Sequence, residues 1–359
     1  YMESYSDMLP SDRKWVLEYI DAYRWAKLSN KYTETIGSFI GEKNANEVTF
    51  NSWYNRFSTV STLLNECNDI DVFYWIDGLG VDWIPFIIHS IAQYKNEGIF
   101  LNDIMIGRAL LPSTTEINKL SLQKLADGNL SKKGDLDGFA HKCTSYPQYI
   151  IEEFKIVETA IREIVSEHAG KKIAIISDHG LSYLSQLRQG YNLGGIKSNH
   201  CGRCAIHMGD SVTHDDKYII LDDGRTLCSL RHESLAAKIA DGQGCHGGCT
   251  PEEVLVPIFI LSSQCHASEY TISLVDNEVS GSNPVLAFRI KGVSGFDTPK
   301  LIYDNIGYNL NSEGNNRFGS DRIALKENVD EVEVRIGDFS QKFKIKINLG
   351  AEEEDLFDM

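Results

Sequence analysis

Two short apolar runs limit what this chain can fold into more than any other feature. Val72-Phe73-Tyr74-Trp75-Ile76 stops at Asp77-Gly78-Leu79-Gly80, and Ile173-Ala174-Ile175-Ile176 stops at Ser177-Asp178-His179-Gly180. Neither run alternates apolar with polar residues, so both faces of each must be covered, the condition of a strand inside a parallel sheet. Between them, Tyr149 to His168 repeats apolar residues every three to four positions and predicts an amphipathic crossover helix. Strand, helix and strand in that order predict an α/β layer fold. Both strands deliver an aspartate at the carboxyl edge of the sheet, where open α/β sheets bind their ligands.

The flanks read differently. Residues 1–68 carry helical patterning, as in Trp15-Val16-Leu17-Glu18-Tyr19-Ile20, and predict a helical amino-terminal segment. Residues 266–350 carry period-two stretches such as Glu331-Val332-Glu333-Val334-Arg335-Ile336, separated by Gly, Asn, Asp and Ser, and predict a small all-β, sandwich-like domain. Residues 69–262 are then the core, and 351–359 an acidic tail.

The chain has 359 residues, with 35 Lys+Arg against 51 Asp+Glu, a formal charge of −16. Phosphate-backbone binding draws on an excess of Lys and Arg, so broad duplex binding is excluded. Any phosphate must be met locally, by metal. With 42% hydrophobic and 24% charged residues, the composition is that of a globular protein. No apolar window long enough to span a bilayer and no signal peptide is visible, which predicts a cytoplasmic protein without membrane contact. Tyr1 precedes Met2, as expected of a piece of a longer protein. The eight cysteines read as free thiols or metal ligands before a disulfide framework.

Several further residues bear chemistry. Asp137 and His141, at i and i+4, can share a divalent ion from one side of a helical turn; the plainer alternative is a surface pair. His246 sits in the Gly-rich stretch Gly244-Cys245-His246-Gly247-Gly248. Ser113, Thr114 and Thr115 precede a helical pattern, where hydroxyls serve as caps or as nucleophiles backed by the helix dipole. Cys201-Gly202-Arg203-Cys204 is half of a structural zinc motif, with buried thiols as the preferred reading. Glu252 and Glu253 follow Thr250-Pro251 as the first turn of a helix and need no catalytic role.

Taken in order, the series is Asp77, a hydroxyl, Asp137 with His141, Asp178 with His179, and His246. The local wording is Trp-Ile-Asp-Gly-Leu-Gly at 75–80, Pro-Ser-Thr-Thr-Glu at 112–116, Ser-Asp-His-Gly at 177–180, and His-Gly-Gly-Cys-Thr-Pro-Glu-Glu-Val-Leu-Val-Pro at 246–257. Across roughly residues 69–262 this resembles the PglZ branch of the alkaline phosphatase superfamily, known from bacteriophage-exclusion (BREX) defence systems.

The resemblance implies an alkaline-phosphatase-like core sheet flanked by helices, and a metal-dependent phosphatase or phosphodiesterase. One metal would be held by Asp137, His141 and His246, the other by Asp77, Asp178, His179 and Thr115. Thr115 best matches the family nucleophile, with Ser113 and Thr114 as alternatives. Arg203 would face the substrate phosphate, with Arg188 as the weaker alternative. Mixed Asp/His donors suit zinc, with manganese the other option. The implied substrate is a phosphate ester or nucleotide, and the implied partners are other BREX-like defence proteins. Three carboxylates against two divalent ions leave the site at about +1, so an acidic protein can still attract phosphate.

Two other readings compete. One is a sulfatase or phosphomutase relative; Pro112 precedes the hydroxyls and no Arg follows, which counts against the sulfatase. A metal-retaining scaffold of the defence complex, without turnover, differs only in lacking hydrolysis.

Overall fold

The computed structural model describes residues 1–348 apart from 4–8, 11, 68, 95–96, 168–169, 210–211, 264–269, 282, 292, 294–297, 315, 327–328 and 338. The acidic tail expected at 351–359 lies outside the described residues. The chain is a mixed α/β protein with several sheets, divided into two compact units: residues 1–6 with 15–265, and residues 7–14 with 266–359.

The first unit begins with four helices, α1 (Lys14–Ser29), α2 (Glu34–Lys43), α3 (Glu47–Tyr54) and α4 (Val60–Asn65). Thr33, Asn46 and Thr59 cap the last three by accepting from backbone N–H groups of the first turn. These helices pack directly onto the core loops. The Tyr23 hydroxyl donates to the Leu181 carbonyl at 2.8 Å, and Tyr54 to that of Ala109 at 2.6 Å.

The first apolar run forms β1 (Val72–Asp77), followed by α5 (Ile84–Ala92), β2 (Phe100–Arg108), α6 (Thr115–Leu125), β3 (Leu130–Asp135), α7 (Leu136–Ala140) and α8 (Gln148–Ser166). The second run forms β4 (Ile173–Ile176). β1 pairs in parallel with β4 on one side, Val72 against Ile173, and with β3 on the other, Phe73 against Leu130. All three therefore end at one edge of the sheet. The amphipathic stretch becomes α8, which connects β3 to β4 and packs on β3 and β1.

One feature of the sheet escapes the local pattern. After an inserted antiparallel sheet of β5 (Ile196–Asn199), β6 (Cys204–His207), β7 (Tyr218–Ile220) and β8 (Thr226–Ser229), the chain makes the short α9 (Pro251–Val254) and then β9 (Leu255–Ser262). β9 runs antiparallel between β2 and β4, giving the order β2-β9-β4-β1-β3. A fully apolar strand looks the same in either direction, because burial of both faces does not encode polarity. Phe73, Trp75, Ala174, Ile176, Val256, Ile258 and Ile260 build the core of one sheet face, covered by Leu64 of α4 and Leu122 of α6.

In the second unit, β10 (Thr271–Leu274), β12 (Ala287–Lys291), β13 (Lys300–Tyr303), β14 (Ile306–Gly314), β15 (Arg317–Ser320), β16 (Glu331–Ile336) and β17 (Phe339–Lys344) form one antiparallel sheet, while β11 (Glu278–Ser280) pairs with β18 (Lys346–Asn348). The expectation of two stacked sheets is corrected here. β14 pairs with β13 over Ile306–Asn309 and with β15 over Leu310–Gly314, so one long strand joins both halves of a nearly closed, barrel-like sheet around a single core. Period-two alternation is common to sandwich and barrel, and only the pairing distinguishes them.

No helix among the described residues is long and apolar enough to cross a membrane.

Candidate metal centre

The shared edge of β1, β3 and β4 collects the donor residues. Asp77 closes β1; Asp178 and His179 follow β4 after Ser177; Asp137 lies in the first turn of α7 immediately after β3, and His141 caps that helix. Thr115 is the first residue of α6, and His246 arrives from the loop before α9. The structure brings all seven together. Asp137, His141 and His246 each offer a ligand atom within 4.8 Å of the others, and so do Asp77, Asp137 and His179. The carboxylate shared by the two sets is that of Asp137. Asp178 lies beside the second set, its Oδ2 3.5 Å from His179 Nε2.

The two buried imidazoles are held in the same manner. His179 Nδ1 lies 3.0 Å from the Gly180 carbonyl and His246 Nδ1 lies 2.9 Å from that of Ser113, so each ring donates its δ proton to the backbone. That tautomer leaves the Nε2 lone pair turned to the carboxylates, the second-sphere arrangement typical of metal-binding histidines. The rings stack at 3.9 Å with 6° between their planes. Two glycines make room. A Cβ at Gly180 would run into the Glu252 carbonyl, and Gly247, at φ +107°, would place one 3.3 Å from His200 Cβ.

Several oxygens face this space unsatisfied. Asp137 Oδ1 lies at ion-pair distances from two imidazoles, 3.2 Å from His141 Nε2 and 3.0 Å from His246 Nε2, and it has no hydrogen-bond partner among the described residues. Asp178 Oδ2 is likewise buried without one, whereas Oδ1 accepts from Trp75 Nε1 at 3.1 Å and from the His179 backbone N–H. Buried polar atoms ordinarily have partners, so two orphaned carboxylate oxygens among imidazole lone pairs fit cation ligands.

The electrostatics carry the same frustration. Burial, then the charge of Asp178, pushes Asp77 up to about 6, and burial raises Asp178 as well. Burial, reinforced by His246, pulls His179 down to about 4. Burial also works against an ionised Asp137, yet His141 and His246 outweigh it and hold this carboxyl well below the usual range. Asp137, then Cys201, lifts His141 to about 10.

Among the three hydroxyls, the surroundings differ. Ser113 Oγ donates to the Gly248 carbonyl at 2.9 Å and accepts from Gly247 N at 3.0 Å, so it is committed to the His246 loop. Thr114 is the buried cap residue of α6. Thr115 Oγ1 lies 3.1 Å from His179 Nε2 and 3.5 Å from Asp77 Oδ1, inside the cluster.

Arg203 is placed differently from the expectation. It is 0% exposed; Nε and Nη2 donate to the two Glu253 oxygens at 2.9 and 2.7 Å, and Nη1 donates to the Glu233 carbonyl. A guanidinium held bidentately in the interior ties the residue before β6 to α9, and all three of its nitrogens are engaged there by Glu253 and Glu233. Breaking a buried pair strands its partner charge, so Arg203→Met should destabilise the first unit by about 3–5 kcal/mol; urea denaturation measures this, and a cost below about 1 kcal/mol would refute the structural role. Arg188 is also engaged, its Nε donating to Glu233 at 2.7 Å. Glu252 accepts from Tyr19 at 2.6 Å and lies 3.0 Å from His232 Nε2. No cysteine enters a metal-holding group among the described residues.

Sequence reasoning missed two side chains at this site. Lys132 of β3 donates to Asp77 Oδ2 at 2.7 Å, and no sequence signal marks it. His200 lies with Nδ1 3.2 Å from His246 Nε2 and Nε2 3.5 Å from Glu116. The only sequence signal for it is a His directly before the Cys201–Cys204 pair, which by itself does not point to the donor series. His200, Cys201 and Gly202 have consecutive positive φ values of 46°, 58° and 78°, a strained turn of the kind that clusters at functional sites.

No protein-family model matches the chain, and no curated protein matches it.

Proposed function

We propose that the first unit is a metal-dependent phosphoester hydrolase with an alkaline-phosphatase-like core, resembling the PglZ component of BREX defence, and that Thr115 is its nucleophile. The observation that carries this is the pair of stacked histidines with both Nδ1 atoms bound to backbone carbonyls and both Nε2 atoms turned to carboxylates, with the Thr115 hydroxyl 3.1 Å from one of them.

Asp137, His141 and His246 would hold one ion, and Asp77, Asp178, His179 and Thr115 the other, with Asp137 near both. Nitrogen and oxygen donors without thiolate favour zinc, with manganese second. Such ions, when bound, stabilise charge on the phosphoryl oxygens and favour the ionised hydroxyl. The chain supplies the rest. Thr115 attacks phosphorus from the first position of α6, whose initial N–H groups lack intrahelical partners and face developing negative charge. As the bond from phosphorus to Thr115 Oγ1 forms, the bond to the ester oxygen breaks and the alcohol leaves with the proton given up by the hydroxyl; water then hydrolyses the phosphothreonine, releasing phosphate, or a phosphomonoester from a diester, and restoring the hydroxyl. The motif wording at 75–80, 112–116, 177–180 and 246–257 supports the likeness to the PglZ branch, and that likeness is the ground for proposing other BREX-like proteins as partners.

The test is metal content together with hydrolysis of p-nitrophenyl phosphate and bis-p-nitrophenyl phosphate. The wild type should bind two ions and cleave at least one ester. Two bound ions with no cleavage of either would leave the scaffold reading standing instead. Asp178→Ala should lose metal, and unchanged stoichiometry would remove Asp178 from the ligand set.

A further inference from the structure

A second feature adjoins the metal centre on the side of Trp75. A groove of about 490 Å³ runs between α6 and the edge strand β3, lined by Trp75, Lys119, Gln123, Gly128, Leu130 and Lys132. Its walls are one hydrogen bond away from two of the ligand carboxylates. Trp75 Nε1 donates to Asp178 Oδ1 at 3.1 Å, and Lys132 Nζ donates to Asp77 Oδ2 at 2.7 Å. The ammonium groups of Lys119 and Lys132 each sit 5.0 Å from the centre of the Trp75 ring.

The two cations differ in their partners. Lys132 is neutralised by Asp77 and by Asp135 at 3.2 Å. Lys119, one helical turn after Thr115, has no carboxylate within ion-pair distance among the described residues, and its ammonium lies over the ring face instead. An indole face holds an ammonium more weakly than an anion does. In a chain of net charge −16, an ammonium without a counter-ion, in a groove that opens beside a phosphoryl site, is a local positive feature against the background field.

We infer that the Lys119 side of this groove is an anion subsite, and that the substrate carries a second negatively charged group beside the phosphoryl group that meets Thr115. This rests on Thr115 and its neighbouring donors being the phosphoryl site. The second group displaces the Lys119 ammonium from the Trp75 ring and pairs with it, while Lys132 stays with Asp77. The opposite side of α6 does not offer this. There a cavity of about 520 Å³ is lined by Ile117, Ile206, His200 and Glu116, and the Glu116 carboxylate, 3.5 Å from His200 Nε2, already pairs with the imidazole and repels an anion. Substrates with two acidic groups are therefore taken in one orientation, the second group toward β3 and the uncharged portion toward Ile206.

The experiment is calorimetric titration of the zinc-loaded protein with propane-1,3-bisphosphonate and with propylphosphonate, neither of which can be hydrolysed. The bisphosphonate should bind about tenfold more tightly. Lys119→Met should reduce that ratio to about two, Lys119→Arg should largely restore it, and Lys124→Met, on the same helix and outside the groove, should leave it unchanged. Lys119→Met replaces a half-buried ammonium over the Trp75 ring with an apolar chain that can cover the same face, so circular dichroism should report an unaltered fold. A ratio that stays near ten in Lys119→Met, or near one in the wild type, would overturn the subsite. Absence of ester hydrolysis would instead count against the phosphoesterase reading, and because the titration needs no turnover the two failures are distinguishable.

Discussion

Thr115→Ala is expected to abolish hydrolysis of bis-p-nitrophenyl phosphate and p-nitrophenyl phosphate, lowering kcat by about 10⁴-fold or more, the scale seen when a covalent nucleophile is removed. The fold should hardly notice. The contacts of Thr115 Oγ1 are with His179 and Asp77, inside the donor cluster, and the first turn of α6 keeps its backbone, so stability should change by less than about 1 kcal/mol. Thr115→Ser, which keeps a hydroxyl at the same place, should recover part of the rate. Retention of more than about a tenth of wild-type kcat in Thr115→Ala, in metal-loaded protein, would mean that water or another group makes the attack.

The second large effect concerns Asp137. Because it belongs to both ligand groupings, Asp137→Asn should weaken both ions at once, and metal content should fall from two ions to less than one. Asp77→Asn, which belongs to one grouping, should leave the other ion in place. Equilibrium dialysis with elemental analysis distinguishes the two patterns, and two ions retained by Asp137→Asn would exclude a shared carboxylate.

The pH dependence follows from the same geometry. In the metal-free protein His141 stays protonated to about 10 through Asp137 and then Cys201, so metal binding at pH 7 must displace that proton. Asp77, raised to about 6 by burial and by Asp178, adds a second proton to displace below that pH. Metal affinity should therefore fall by about tenfold per pH unit between pH 8 and 6, and more steeply below 6. The sign for stability without metal is the opposite. A carboxyl whose folded pKa exceeds its unfolded one contributes stability at low pH, and this contribution is lost as the pH rises from about 4 through 6. Titrations in buffers of different protonation enthalpy count the protons released, and no release at pH 7 would contradict the His141 assignment.

Parts of this architecture were legible in the residues because they rest on local rules. Apolar runs at 72–76 and 173–176 require burial on both faces, and a strand stopped by Asp-Gly or Ser-Asp-His-Gly places its acid at the sheet edge. Hydroxyls before a helical pattern mark the start of α6, and the Thr250–Glu253 capping box with Pro251 marks α9. Other parts were not. The direction of β9 and the joining of the carboxyl-terminal strands into one curled sheet depend on pairing between distant segments, which alternation and apolarity do not specify.

The same division runs through the candidate site. Residue type and spacing are local properties, so the order Asp77, a hydroxyl among Ser113, Thr114 and Thr115, Asp137 with His141, Asp178 with His179, and His246 was open to reading in the chain, while the ligand roles and the choice of Thr115 rested on the family resemblance. Which atoms converge depends on packing between distant segments. That packing put Asp137 between both donor sets, buried the Arg203 guanidinium against Glu253 across fifty residues, and brought Lys132 and His200 to the edge of the cluster. A charge is drawn to whatever counter-charge the packed chain places beside it, and that neighbour is fixed by three-dimensional burial, where water no longer screens one pairing from another.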